Sequence, residues 1–200
     1  MADTVNRGRR KFLTGATSVV GALGVAGAAV PFVKSWVPSA KARAAGAPVQ
    51  ANIGKIEPGQ MITVEWRGKP VYIVRRTPEA LEQLATRMRA LVADPDSKDD
   101  IRPAYVGGDA RAIAGHEEFL VTVGLCTHLG CAPKYRPDVG ARDLGGAEWL
   151  GGFFCPCHGS KFDLSGRVYK SVPAPSNLEV PPYRFVSDTL IVIGEDQETA

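Results

Sequence analysis

The segment Cys155-Pro156-Cys157-His158 places two thiols and an imidazole in four consecutive positions of a 200-residue chain that has 4 cysteines and 3 histidines in all. A second box, "CTHLGC" at residues 126–131, holds the other two cysteines and His128. The boxes read C-x-H-x-x-C and C-x-C-H, with 23 residues between Cys131 and Cys155. Thiolates and neutral imidazoles are ligands of soft and borderline metals, and thiols also pair oxidatively, so metal binding and disulfide chemistry are the classes to weigh. All the cysteines falling in two short boxes argues for one site.

Four readings compete. Two disulfides would suit an exported chain but leave His128 and His158 without a role, and only one proline separates Cys155 from Cys157. Structural zinc accepts both residue types, yet its sites generally use C-x-x-C or H-x-x-x-H spacings, and two cysteines would be spare. A c-type haem needs C-x-x-C-H, which is absent. A 2Fe-2S cluster with two cysteines on one iron and two histidines on the other takes one Cys and one His from each box.

The two boxes resemble those of Rieske iron-sulfur proteins, in the version found in the iron-sulfur subunit of ubiquinol-cytochrome c reductase, the cytochrome bc complex. The likeness extends through "IEPGQMITVEWRGKPVYIVRRT", "VPAPSNLEVPPYRF" and the amino-terminal segment, and so covers nearly the whole chain. It implies that Cys126 and Cys155 bind one iron of a single 2Fe-2S cluster, that His128 and His158 bind the other, and that Cys131 pairs with Cys157 in a disulfide. It further implies that the Ser160 hydroxyl bonds a bridging sulfide, and that "SVPAPS", Ser171 to Ser176, covers the cluster. Read without the resemblance, Ser160 is a turn former after Gly159 and the proline-rich run a stiff connection. In one respect the chain departs from the family: many members carry a tyrosine where this one has Phe162. A donor to a cysteine sulfur is then missing, which predicts a lower potential than in tyrosine-bearing relatives.

Exchanging two thiolates for two neutral imidazoles removes two negative charges from a cluster. The potential rises from about −400 mV in plant-type ferredoxins to roughly −150 to +300 mV. An added electron then attracts a proton to the imidazoles, which links electron and proton uptake and suits a quinol, whose oxidation releases both. The resemblance assigns the quinol contact to His158 and implies that a tethered head passes the electron to a c-type cytochrome. The implied partners are a cytochrome b subunit, a c-type cytochrome subunit, ubiquinol and the membrane, in a dimeric complex. Rival readings are the Rieske subunit of a periplasmic molybdenum oxidoreductase such as arsenite oxidase, a Rieske ferredoxin of a ring dioxygenase, and a structural zinc module. The ferredoxin class generally lacks the third and fourth cysteines and an export signal.

Several elements must present these boxes. Arg9 and Arg10 precede an uncharged run from Phe12 to Val33, the pattern of a bacterial twin-arginine export signal. As a helix its 22 residues span roughly 33 Å, enough for a bilayer core. "PSAKARA" offers sites to a signal peptidase, so composition leaves retention or cleavage open. The basic residues before the run keep residues 1–11 in the cytoplasm and send the rest into the periplasm of a cell with an inner membrane. Residues 34–48 are small and polar and read as a flexible hinge. From residue 49 to 200 the texture is β-branched and turn-rich. "MITVEWRGKPVYIVRR" reads as a hairpin, Pro78 to Val92 as one helix, and "ADPDSKDDIRPAYVGGDARAIAG" as a long polar loop. "EFLVTVGLC", "WLGGFFC", "GRVYKSV", "LEVPPYRFV" and "TLIVIGE" read as strands. His116 has no second ligand at metal spacing and reads as a surface histidine. The linker 134–150 reads as either a docking surface or a solvated loop.

A net charge of +3 with scattered basic residues excludes nucleic acid as a partner class. No phosphate loop or internal repeat is present. The expected fold is mainly β: an antiparallel Rieske-type domain with an inserted cluster-binding part at about 124–176, preceded by one transmembrane helix.

Overall fold

Asn6 starts the first helix. Its side chain accepts from the Arg9 amide at 3.1 Å, and the helix α1 then runs from Arg7 to Ser35. It exceeds the apolar run at both ends, since the basic segment Arg7–Lys11 and the pair Lys34–Ser35 are also helical. The Thr14 and Thr17 hydroxyls fold back onto the Arg10 and Leu13 carbonyls, so these polar groups are satisfied within the helix. The helix is long and apolar enough to cross a membrane, and none of its residues is buried in protein. This computed structural model describes residues 6–197 and divides into two units, Met1–Ala44 and Ala45–Ala200. The stretch 34–48 contains a short helix, α2 (Ala40–Ala45), opened by the Ser39 hydroxyl, which accepts from the Ala42 amide.

The second unit is built from short antiparallel strands. In chain order they are β1 (Val49–Asn52), β2 (Met61–Trp66), β3 (Lys69–Arg75), β4 (Val106–Gly107), β5 (Ala112–Ile113), β6 (Phe119–Val123), β7 (Lys134–Arg136), β8 (Gly152–Phe154), β9 (Lys161–Phe162), β10 (Tyr183–Ser187) and β11 (Leu190–Ile193). They form sheets ordered β1-β11-β10, β2-β3-β6 and β7-β8-β9, with β4 and β5 as a separate pair. Arg67 and Gly68 both have positive φ and close the β2–β3 hairpin, the geometry that a two-residue turn between twisted strands demands.

Strand β3 lies between two cores. Val71 and Ile73 point into one with Val121 of β6, Ile191, Ile193 and Tyr183, while Tyr72 and Val74 point into another with Leu120, Phe153, Phe162, Cys126 and Cys155. Successive strand residues face opposite sides, so one strand lines both cores. That is why β3 and β6 read as apolar almost throughout. The second core carries the cysteine boxes.

A third core gathers Leu84, Met88 and Val92 against Leu144, Trp149, Leu150 and Tyr169. The helix expected from Pro78 to Val92 is two, α3 (Pro78–Ala85) and α4 (Met88–Leu91). The break falls at Thr86, whose hydroxyl bonds the Glu82 carbonyl in competition with the helical backbone. The linker 134–150 is neither a free loop nor a bare surface. It contributes strand β7 and buries Leu144, Trp149 and Leu150 in this core.

"GRVYKSV" is not a strand. It makes only single bridges, Phe162 to Val168 and Val92 to Tyr169, because the Val168 amide donates to the Asn177 side chain and the Arg167 side chain turns in to the Leu84 carbonyl. The polar stretch 93–115 is also more than a loop: it carries β4 and β5 and buries Arg111. His116 is half-buried, stacked on Phe185 with ring centroids 3.7 Å apart.

Candidate metal centre

Two strands deliver the two boxes. β6 runs through Gly124 into Cys126, and β8 runs directly into Cys155. A Cβ on Gly124 would lie 2.3 Å from the Tyr72 ring, so glycine is what allows that ring to pack beneath the first box. Tyr72 donates its hydroxyl to the Pro133 carbonyl at 3.0 Å, on the far side of the box.

The boxes fold as near-copies. In the first, the Gly130 amide donates to the Cys126 carbonyl and the Cys126 amide to the Cys131 carbonyl, both at 2.8 Å. In the second, the Gly159 amide donates to the Cys155 carbonyl at 2.9 Å and the Cys155 amide to the Ser160 carbonyl at 2.8 Å. Gly130 and Gly159 sit at φ of +78° and +77°, the left-handed region that glycine enters without strain. Cys126 thus corresponds to Cys155 and Cys131 to Ser160. The leading cysteine of each loop is held at its root, where both are free thiols with 3% and 2% exposure. The middle residues form the tip.

At the tip the His128 and His158 rings meet edge to face, centroids 4.8 Å apart. His158 is exposed and His128 half-buried, with its Nδ1 buried and without a hydrogen-bond partner. Two sulfurs lie at depth and two imidazoles toward solvent. Burial pushes the Cys126 thiol up, with a backbone amide donor in the loop opposing the rise. A metal cation at the root would supply the positive charge that such a buried thiolate lacks.

Cys131 and Cys157 form a disulfide, Cα to Cα 6.7 Å. The β7–β8 ladder pairs Lys134 with Phe154, and the same register carried three residues outward sets Cys131 opposite Cys157. The Cys155 sulfur lies within 4.8 Å of both disulfide sulfurs. These three sulfurs are not a ligand set, because a disulfide sulfur has no thiolate to offer.

One hydroxyl from each box fastens the proline-rich loop. The Ala174 amide donates to Ser160 Oγ at 3.0 Å, and Thr127 Oγ1 donates to the Ser176 carbonyl at 2.7 Å. Ser160 is fully buried.

A family model described as "Rieske [2Fe-2S] domain" matches residues 48–183, and one described as "Ubiquitinol-cytochrome C reductase Fe-S subunit TAT signal" matches residues 1–39. The "Ubiquinol-cytochrome c reductase iron-sulfur subunit" of Allochromatium vinosum is 54% identical over 199 residues, spanning 100% of this chain and 94% of that protein. Its namesakes in Bradyrhizobium diazoefficiens and Blastochloris viridis are each 45% identical, over 93% and 96% of this chain and 94% and 96% of theirs. The chain belongs to the Rieske iron-sulfur family. Within it, the chain falls among the iron-sulfur subunits of ubiquinol-cytochrome c reductase. The molybdenum-oxidoreductase reading is not favoured by these relatives, and the zinc module gives way to a Rieske 2Fe-2S domain.

The donor set fits the cluster of the Rieske family. Two free thiols and two imidazoles, one with an orphaned nitrogen, converge from matching loops. Opening the disulfide removes a cross-link between residues 26 apart, worth about 3.5 kcal/mol on the chain-entropy estimate. The Cys131→Ser/Cys157→Ser double variant is therefore expected to melt roughly 7–14 °C lower, read by circular dichroism.

Phe162 has no exposure and packs in the core that holds Cys126 and Cys155. A ring hydroxyl there faces the cysteine-bearing core in place of a group that can donate nothing. Phe162→Tyr is expected to raise the midpoint potential in protein-film voltammetry; an unchanged midpoint would show that this position does not set it.

Sequence reasoning missed the buried arginines Arg76, Arg111 and Arg167. Arg76 donates to the Ala110, Leu164, Glu117 and Phe119 carbonyls and to Ser165 Oγ, joining β6 to the segment after the second box. Burial draws its guanidinium down to about 10, opposed by Tyr183 and Asp163. Arg111 bonds the Ser165 and Leu178 carbonyls and Asp100. Arg167 bonds Asp163, Asp109 and the Leu84 carbonyl. Each looks like a solvated charge in the sequence, so no local signal marks it.

Proposed function

We propose that Cys126 and Cys155 hold one iron of the cluster and His128 and His158 the other, and that His158 is the quinol contact. The chain would act as the electron-accepting arm of a cytochrome bc complex, between ubiquinol on a cytochrome b subunit and a c-type cytochrome, in a dimeric assembly. The observation that carries this reading is the exposed His158 ring at the tip of two matched loops whose leading cysteines are buried.

When bound, the cluster supplies a one-electron acceptor of mild potential. The chain's own groups do the rest. The outer ring nitrogen of His158 accepts a hydrogen bond from a quinol hydroxyl and takes its proton as the electron leaves. His128 is set deeper and orients the pair. The buried cysteines and the lid fastened by Ser160 and Thr127 keep water from the sulfur side, so exchange is confined to the histidine tip.

The amino-terminal helix supports an anchor in a bacterial inner membrane, with the twin arginines cytoplasmic and the cluster domain periplasmic. Residues 34–48 would serve as the hinge on which the head travels between donor and acceptor.

Electron paramagnetic resonance of reduced membranes, with and without an inhibitor of the quinol site, tests the assignment. The expected result is a shifted cluster signal on adding inhibitor. A spectrum indifferent to inhibitor would remove His158 from the quinol site.

A further inference from the structure

We infer that the sulfur triad Cys131, Cys155 and Cys157 is a thiol–disulfide exchange site, held silent only while Cys155 is committed to iron. The inference rests on the assignment of Cys155 as a ligand. All three sulfurs lie within 4.8 Å of one another, and Cys155 is a free thiol beside a formed disulfide.

Burial and ring size set the direction. Attack of the Cys155 thiolate on the Cys157 sulfur would close a ring across Pro156 alone, which strains the bridge. Attack on the Cys131 sulfur has no such restriction: the Cys155–Cys131 bond forms, the Cys131–Cys157 bond breaks, and the electron pair leaves on the Cys157 sulfur. One thiol and one disulfide go in and one of each comes out, so no oxidant is required. Cys157 is exposed whereas Cys155 is 2% exposed. The exchange therefore moves the free thiol from a buried position to a solvent-accessible one, and it places the neutral disulfide inside. Cys126 lies outside the triad and keeps its thiol.

A chain that loses its cluster then loses a ligand as well, because Cys155 is consumed by the new bond. Reloading requires a thiol reductant, and iron and sulfide alone do not restore the centre. The native disulfide and the cluster protect each other: the ligand bond occupies the one thiol that can undo the cross-link.

The test maps thiols on the full chain in detergent, under anaerobic conditions without reductant. Free thiols are alkylated with iodoacetamide before and after the iron is stripped with a chelator, and the sites are read by fragmentation mass spectrometry. In the loaded chain Cys126 and Cys155 are expected to be protected. Over minutes to hours after stripping, label is expected at Cys126 and Cys157, with Cys131 and Cys155 unlabelled. Label persisting at Cys155 in the stripped chain overturns the inference, and so does a statistical spread that includes Cys131, which signals scrambling in an unfolded chain. Rapid labelling of Cys155 in the loaded chain would instead sink its assignment as a ligand. The Cys155→Ser variant lacks the attacking sulfur and is expected to label at Cys126 alone; label on its Cys157 also overturns the inference.

Discussion

Replacing any one of Cys126, His128, Cys155 or His158 with alanine is expected to drop iron and acid-labile sulfide in the purified chain from about two of each to near zero. The expectation comes from where each donor sits. Cys126 and Cys155 are at the roots of the two loops with almost no exposure. A cluster deprived of either would leave an iron facing an apolar core that includes Phe153 and Phe162, with no water to complete its coordination. The histidines differ. His158 is exposed, so water can reach the position it vacates, whereas His128 is half-buried, with a neighbouring imidazole beside it and the preceding residue, Thr127, tied to the lid loop at Ser176. His158→Ala is thus the variant in which a residual altered signal is most expected. The Cys131→Ser/Cys157→Ser pair provides the contrast: it is expected to assemble a cluster at low temperature and lose it early on heating. Iron analysis beside the visible spectrum separates these outcomes. Retention of two irons in Cys126→Ala or Cys155→Ala would overturn the ligand assignment.

The two boxes were legible as one site because their shape is local: each is six residues, and the glycine that shapes its turn lies inside it. The alternation of β2 and the turn at Arg67–Gly68 were legible for the same reason. What connects the boxes to the rest was not. β3 faces two cores at once, a fact that its apolar run conceals, and the cross-link partner of Cys131 follows from a strand register that spacing alone does not give. The arginines were least legible. Arg76 reaches Ser165 and Arg111 reaches Leu178, 89 and 67 residues away in sequence, so part of what satisfies each charge lies far outside its local segment. Period-based reading assigns such residues to solvent. "GRVYKSV" failed similarly, since Arg167 turns inward and Val168 donates its amide to Asn177.

Asp163 is where that hidden network has its highest expected effect. Its Oδ1 accepts the Ser165 and Arg167 amides and its Oδ2 accepts Arg167 Nε, each at 2.8 Å, with both side chains at 0% exposure. Asp163→Ala leaves two amides unpaired and removes the one fully buried carboxylate that pairs with Arg167 among the described residues; Arg167 also pairs with Asp109, which is 28% exposed. Breaking a buried pair from one side typically costs about 3–5 kcal/mol, more than the pair itself contributes, because the remaining charge stays desolvated. Melting roughly 6–20 °C lower is expected, followed through the cluster's visible dichroism. Asp163→Asn keeps an oxygen for both amides and should lose less. The double variant Asp163→Ala/Arg167→Met removes the stranded charge, and its loss is expected to be smaller than the sum of the two single variants. This turn directly follows β9, which carries Phe162 in the core with Cys126 and Cys155, the proposed ligands, so the same substitution should release iron at a lower temperature without changing the midpoint of the chains that remain loaded. Strict additivity in the double variant would show that the guanidinium finds other partners, and the buried pair would then be a consequence of packing rather than its anchor.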